Sequence, residues 1–221
     1  MIVAVALAGA LALGPLVPGP APASGTVRPG DSGAAVLHLQ KRLRALRYDP
    51  GDRNGRYGKE TEAAVWAFQK VHRMRPDGIV DAPVRRALER PRRPRRLERG
   101  PRRRVEISLR RQLLTVYRRN RPVLISHISS GNGRPYCERG VCGVARTPTG
   151  DFRVFRRVKG WHRSRLGYMY RPLYFHGGFA MHGSMNVPRR PASHGCVRVP
   201  LHTADRLARL VPNGTHVRIR R

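Results

Sequence analysis

"VEISLRRQLLTVYRRNRPVLI", residues 105–125, decides the fold class. Val105, Ile107 and Leu109 alternate with polar residues, as do Leu114 and Val116, then Val123 and Ile125. A period of two is that of a strand with one buried face. "RNRP", 119–122, separates the last two runs as a hairpin turn would. Further short runs follow in "GDFRVFRRV" (150–158), "YRPLYFH" (170–176), "GFAMHG" (178–183) and "THVRIR" (215–220). One helix is expected at about 200–210, with Leu207 and Leu210 inward. Residues 105–221 therefore read as a mostly-β domain.

Upstream the period is helical. Val36, Leu39, Leu43 and Leu46 form one apolar face after Asp31 or Ser32 as N-cap, and Val65, Phe68 and Val71 form a second after Thr61. Val84, Ala87 and Leu88 form a short third, opened by Asp81 and Pro83. Turns rich in Gly, Asp and Asn lie between them, "DPGDRNGRYG" (49–58) and "RPDGIVD" (75–81). Residues 26–90 thus read as a small three-helix domain. Residues 91–104, "PRRPRRLERGPRRR", read as a stiff, self-repelling spacer, with an anion-binding arm as the other reading.

The first 23 residues are an apolar run ending in Ala21-Pro22-Ala23, an A-x-A site. They are expected to be a secretory signal peptide; an uncleaved anchor is the alternative. Their continuous apolar core, Ile2 to Leu13, is short for a membrane span, so none is expected once the signal is removed. Either reading places the rest of the chain outside the cytoplasm, where disulfides persist. The formal net charge of +32 calls for anionic partners. Export and the lack of a nucleic-acid-binding motif disfavour nucleic acid and leave anionic lipid or an acidic polymer.

Of three cysteines, Cys137 and Cys142 share the loop "YCERGVC" and are expected to form a small-loop disulfide, two free thiols being the alternative. Cys196 is the odd one, in "PASHGCVRV" (191–199). A thiol nucleophile needs a lowered pKa or an adjacent base. "FAMHGSMNVPRRPASHGCVRV" (179–199) supplies His182 at the end of an apolar strand, His194 and Gly195 beside the thiol, and prolines that let the loop fold back. No acidic residue lies between Phe179 and Pro200, so a backbone carbonyl, Asp151 or Asp205 would have to orient the imidazole. A zinc site built from Cys196, His182, His194 and His176 is a rival, but the spacing fits no usual zinc pattern, and no metal is expected.

The motif set "HG…SHGCVRV", with "RTPTGDFRV" (146–154) and "VPNGTHVRI" (211–219), resembles the YkuD-type catalytic domain of L,D-transpeptidases. "RPGDSGAAVLHLQKRLRALRY" (28–48), "NGRYGKETEAAVWAFQK" (54–70) and "DGIVDAPVRRAL" (77–88) resemble the peptidoglycan-binding domain of wall enzymes. The second resemblance puts glycan contacts on loop residues such as Arg56 and Tyr57. The first implies a cysteine enzyme with no cofactor that acylates itself with a peptidoglycan stem peptide, releases D-Ala and passes the acyl group to an amine on another stem. By that resemblance Cys196 is the nucleophile, His182 the general base oriented by the carbonyl of Gly183, and His194 a shaping residue. It gives the oxyanion hole to the N–H groups of Gly195 and Cys196. Ser193 and Arg198 complete the motif, Arg198 as a partner for a substrate carboxylate, and Tyr170 lines the substrate channel. Hydrolysis by the same acyl-enzyme, an L,D-carboxypeptidase, and a catalytically silent wall-binding protein are the alternatives.

Overall fold

The computed structural model describes residues 25–97, 100–138 and 140–221; the expected signal peptide lies outside them. The N-terminal part holds helices α1 (Ala34–Ala45), α2 (Lys59–Val71) and α3 (Ala82–Glu89). Their buried faces are those the spacing predicts, with Val36, Leu39, Leu43, Val65, Phe68 and Val84 in one cluster. The caps differ. Gly33 caps α1 and Gly58 caps α2, neither with a side-chain bond. Asp31 instead accepts the Arg28 N–H at 2.8 Å, and Thr61 is buried, its Oγ1 donating to the Pro50 carbonyl at 3.2 Å. Only at α3 does the expected cap form, with Asp81 accepting the Val84 N–H at 3.0 Å.

The C-terminal part is built from strands β1 (Arg104–Ser108), β2 (Leu113–Arg118), β3 (Arg121–His127), β4 (Pro135–Glu138), β5 (Val141–Val144), β6 (Gly150–Arg153), β7 (Arg156–Arg157), β8 (Trp161–Ser164), β9 (Gly167–His176), β10 (Phe179–Gly183), β11 (Val197–Val199) and β12 (His216–Arg220), with helix α4 (Leu201–Leu210) before the last. The β2–β3 hairpin turns at Arg119 and Asn120, both at positive φ (50° and 60°), the geometry of a two-residue primed turn. One sheet has the order β3-β2-β1-β12-β6, and a second has β11-β10-β9-β7 with β8 also on β9. The two sheets and α4 enclose a single apolar core that includes Val105, Ile107, Val116, Met181, Val197 and Leu207. Strands β4 and β5 form a separate ribbon where the sequence reads as a loop.

The two parts are fused rather than tethered. Leu113 and Ile125 of the β part are buried in the core of the helical part. The Ile125 N–H donates to the Arg47 carbonyl at 2.9 Å. Asp49, 3 % exposed, joins Arg44 (3.0 Å) to Arg206 (3.1 Å) and accepts from Thr203 Oγ1 at 3.1 Å. The Arg/Pro segment is pinned as well. Arg104, 1 % exposed, pairs with Glu106 at 2.6 Å, donates to Asn120 Oδ1 at 2.8 Å and lies over the Tyr117 ring at 4.3 Å. The Leu97 N–H donates to the other oxygen of Glu106 at 2.9 Å. A spacer reading sees only proline and like charge; the buried acid that neutralises Arg104 lies beyond the segment.

A shared core predicts shared unfolding. Ile125→Ala removes packing from a residue 2 % exposed in the helical core. It should destabilise the chain by ~2–5 kcal/mol, the usual range for such truncations. Calorimetry should show one transition for wild type and variant alike, whereas two separated transitions would mean independent parts.

Candidate active site

Strands β10 and β11 run parallel, with His182 opposite Arg198 and Met181 opposite Val197. Side chains alternate across a strand, so Met181, Val197 and Val199 enter the core while His182, Arg198 and Cys196 share the other face. There Cys196, His182, His194, Ser193 and Arg198 line one cavity of about 600 Å³. Tyr136 and Val141 of the β4–β5 ribbon and Tyr168 and Tyr174 of β9 supply further walls.

His182 is buried, and its Nδ1 lies 2.9 Å from the Gly183 carbonyl. A carbonyl accepts only, so Nδ1 carries the proton and Nε2 presents a lone pair. Asp205 is held by Tyr170 and Arg171, and Asp151 by Arg218 and Arg220, so neither orients the imidazole. The His182 pKa is lowered to about 4, chiefly by burial; the Gly183 bond opposes the shift and the nearby Arg198 charge adds to it. Burial raises the Cys196 thiol above its ordinary value, partly offset by the Ala180 amide and by Arg198. The thiol points to the Gly178 carbonyl at 3.8 Å. The resting pair is therefore neutral thiol and neutral imidazole. Of the two ways to activate a thiol, an adjacent base fits this electrostatic setting and a depressed thiol pKa does not.

The motif around the cysteine is a turn with its own bonds. Ser193 Oγ accepts the Gly195 N–H at 3.0 Å and donates to the Cys196 carbonyl at 2.5 Å. Thr147 Oγ1 donates to the Gly195 carbonyl at 2.7 Å. Gly195 sits at φ +133°, and a Cβ there would lie 2.5 Å from Phe179 and 2.9 Å from the Arg146 carbonyl. One expectation changes here. The Gly195 N–H, expected in an oxyanion hole, is already committed to Ser193; the Cys196 N–H has no acceptor among the described residues. Gly183 contributes its carbonyl and a close approach, since a Cβ on it would lie 2.9 Å from Ala204.

Tyr170 does not line the cavity. Its hydroxyl donates to Asp205 at 3.0 Å and its ring packs against the main core. The cause is a bulge. Arg171 has φ 47°, and the β9–β10 register shifts between Met181–Leu173 and Gly183–Tyr170. That puts Tyr170 out of phase with Tyr174, which packs with Ala180 and Cys196. Tyr57 departs from expectation too. It is 4 % exposed, and its hydroxyl donates to the Gly78 carbonyl at 2.6 Å, so it is core, while Arg56 remains exposed.

His194 is tied to residues the sequence did not single out. Its Nε2 lies 3.0 Å from Glu138 and its ring packs on Tyr136 at 4.7 Å. Both belong to the β4–β5 ribbon, where Cys137 and Cys142 face each other in register with their sulfurs joined. His176 lies apart, packed against Phe152 and Phe179, and no group of three metal-ligating side chains converges among the described residues. A second cavity, of about 590 Å³, lies away from the cysteine and is lined by Arg73, Arg95, Arg96, Arg110, Arg111 and Arg220, among others.

Fold and site together describe a cysteine-centred β domain carrying a three-helix module. Residues 102–219 match the L,D-transpeptidase catalytic domain family, and residues 32–88 match the peptidoglycan binding domain family. A crystal structure of an L,D-transpeptidase from Xylanimonas cellulosilytica is 41 % identical over 91 % of this chain and 100 % of that one, with a TM-score of 0.83. One from Stackebrandtia nassauensis shares the fold at 20 % identity over 91 % of this chain and 98 % of that one, TM-score 0.51. No curated protein matches. The chain belongs to the L,D-transpeptidase family.

Arg198 lowers the pKa of both His182 and Cys196, so Arg198→Gln should raise both. The His182 ring resonances should titrate at higher pH, and the alkylation rate of Cys196 should rise only at higher pH than in wild type. Unmoved profiles would place the guanidinium too far away to matter.

Proposed function

We propose that this chain is an exported cysteine L,D-transpeptidase that cross-links peptidoglycan stems, with Cys196 as nucleophile and His182 as general base. The observation that carries this reading is the placement of both side chains on one face of adjacent parallel strands, with Nδ1 of His182 tied to the Gly183 carbonyl. In the first half-reaction Nε2 of His182 takes the thiol proton as Sγ attacks the carbonyl between the third and fourth stem residues. The tetrahedral oxyanion is met by the Cys196 N–H. Nε2 then gives its proton to the departing amine, D-Ala leaves, and a thioester remains on Cys196. An amine of a second stem attacks the thioester, His182 takes its proton, and the collapse returns that proton to the sulfur as the amide forms. Arg198, with no carboxylate partner among the described residues, is suited to hold a stem carboxylate. Ser193 and Gly195 shape the nucleophile turn, and the Cys137–Cys142 bond staples the ribbon that supports His194.

The helical module supplies the contact with wall glycan and raises the local concentration of stems. The arginine-lined cavity and the net charge of +32 favour anionic wall polymers as a second attachment. Residues 1–23 direct export, and no helix among the described residues is long and apolar enough to cross a membrane.

Incubating residues 24–221 with disaccharide-tetrapeptide and identifying the products tests the reaction. Free D-Ala with cross-linked dimer is expected; D-Ala with tripeptide alone would indicate water as acceptor. Cys196→Ala should abolish both products in a folded protein, and comparable turnover by that variant would sink the assignment. His182→Ala should slow acylation by ~10²–10⁴-fold, the usual worth of a general base. Binding to intact sacculi should weaken as salt rises from ~0.05 to 0.5 M if exposed charge contributes.

A further inference from the structure

The segment between His182 and Cys196 has to cross from one parallel strand to the next. Here the crossover is irregular chain, so its shape depends on what it is bonded to. The half nearer Cys196 is held by its own domain. Ser129 Oγ donates to the Arg190 carbonyl at 2.8 Å, and the Ala192 and Ser193 N–H groups donate to the Ser130 carbonyl at 2.9 and 3.0 Å. The half nearer His182 is held differently. The carbonyls of Val187 and Pro188 lie 3.3 and 3.0 Å from Nε2 of His127, which is fully buried. The Arg189 guanidinium donates to the Pro76 carbonyl at 2.9 Å and lies over the Trp66 ring at 5.7 Å. Pro76 and Trp66 both belong to the helical module.

His127 also leads there. Its Nε2 faces two carbonyls, the nearer at 3.0 Å, whereas Nδ1 faces one, that of Gln112 at 3.3 Å, and meets the Lys70 amine more closely; the proton therefore belongs on Nε2, and Nδ1 offers a lone pair to Lys70. Nζ of Lys70, in α2, lies 2.7 Å from Nδ1 and 3.3 Å from the Gln112 carbonyl. The Trp66 ring meets the imidazole edge-on at 5.2 Å. Burial, with the Lys70 charge beside it, lowers the His127 pKa to about 3, so the ring is neutral; burial and the Arg189 charge lower the Lys70 pKa to about 7, and the amine donates an N–H to Nδ1 in either charge state. A directed chain results: Lys70 Nζ–H to His127 Nδ1, His127 Nε2–H to the carbonyls of the crossover.

We propose that the helical module is part of the catalytic apparatus: Lys70 acting through His127, with Trp66 and Pro76 acting through Arg189, positions the 187–190 segment and so fixes His182 against Cys196. Lys70 and His127 touch neither reacting atom and are positioning residues. The inference rests on the assignment of His182 and Cys196 as the reacting pair, and it adds a role to a module otherwise charged only with holding the wall.

The test uses the full chain after signal removal. Lys70→Met keeps the length of the side chain and removes the donor, and Lys70→Arg restores one. Displacing a catalytic group by about 1 Å costs up to ~10²-fold. Lys70→Met should therefore lower kcat for D-Ala release by ~10–10²-fold with KM little changed, and Lys70→Arg should recover most of it. Hydrogen exchange in 184–192 should accelerate while that in α1 stays at the wild-type rate, and binding to sacculi should be unaltered. In a His182→Ala background Lys70→Met should add almost nothing, because its effect runs through the base. Should Lys70→Met fail to fold, Arg189→Ala, at an exposed position, should give a smaller loss of kcat and the same pattern of exchange. Wild-type kcat and exchange in a folded Lys70→Met would overturn the proposal, as would an equal loss in the His182→Ala background. Faster exchange in 184–192 of the variant, with no D-Ala release by wild type, would uphold the coupling and sink the transpeptidase reading instead.

Discussion

The parallel pairing of β10 with β11 is the constraint on which the site depends. It sets His182 and Cys196 on one face with no adjustment of side-chain direction. Parallel neighbours cannot be joined by a tight turn, so the chain between them must leave the sheet and return. An exposed crossover of irregular backbone would fray, and a buried one would strand its polar groups. This protein meets both difficulties by bonding the crossover to the buried side chains of His127 and Ser129 and to the Ser130 carbonyl, and by setting the helical module against it. The fused core is thus linked to the chemistry, since Ile125, which enters that core, lies two residues before His127 on β3.

The scarcity of acid makes each carboxylate conspicuous. Against 45 Lys and Arg the chain has 13 Asp and Glu, and several of these sit at junctions rather than on the general surface. Asp49 joins the helical part to α4, Glu106 neutralises Arg104 at the end of the linker, and Asp205 ties α4 to β9. Glu138 couples the ribbon to His194. A buried guanidinium is costly unless an anion meets it, which explains why Arg104 and Glu106 are buried together.

Patterns that act locally were legible in the sequence. The alternation of Val105, Ile107, Leu114 and Val116 gave the first strands, and the helical spacing of Val36, Leu39, Val65 and Phe68 gave the module. The turn before Cys196 was legible because its small residues serve backbone geometry, as Gly195 at φ +133° demonstrates. Tyr170 was placed wrongly because a single bulge at Arg171 reverses which face a residue takes, and nothing in an alternation announces a bulge. Tyr57 looked like a loop residue and is core because its hydroxyl has the Gly78 carbonyl to reach, a partner set by tertiary folding. Glu138, Lys70 and His127 drew no notice for the same reason: each acts on a residue more than fifty positions away.

The clamp formed by Arg104, Glu106 and Asn120 at the foot of the Arg/Pro segment has a geometric consequence for work on a polymer. A flexible tether lets an anchored enzyme search a volume whose radius grows with linker length. Here the helical module and the thiol would move as one body, so anchoring through that module would fix both the distance and the direction at which a bond is made. Such an enzyme behaves as a jig: each footing on the glycan offers it one place to join, and the next bond requires letting go and stepping along.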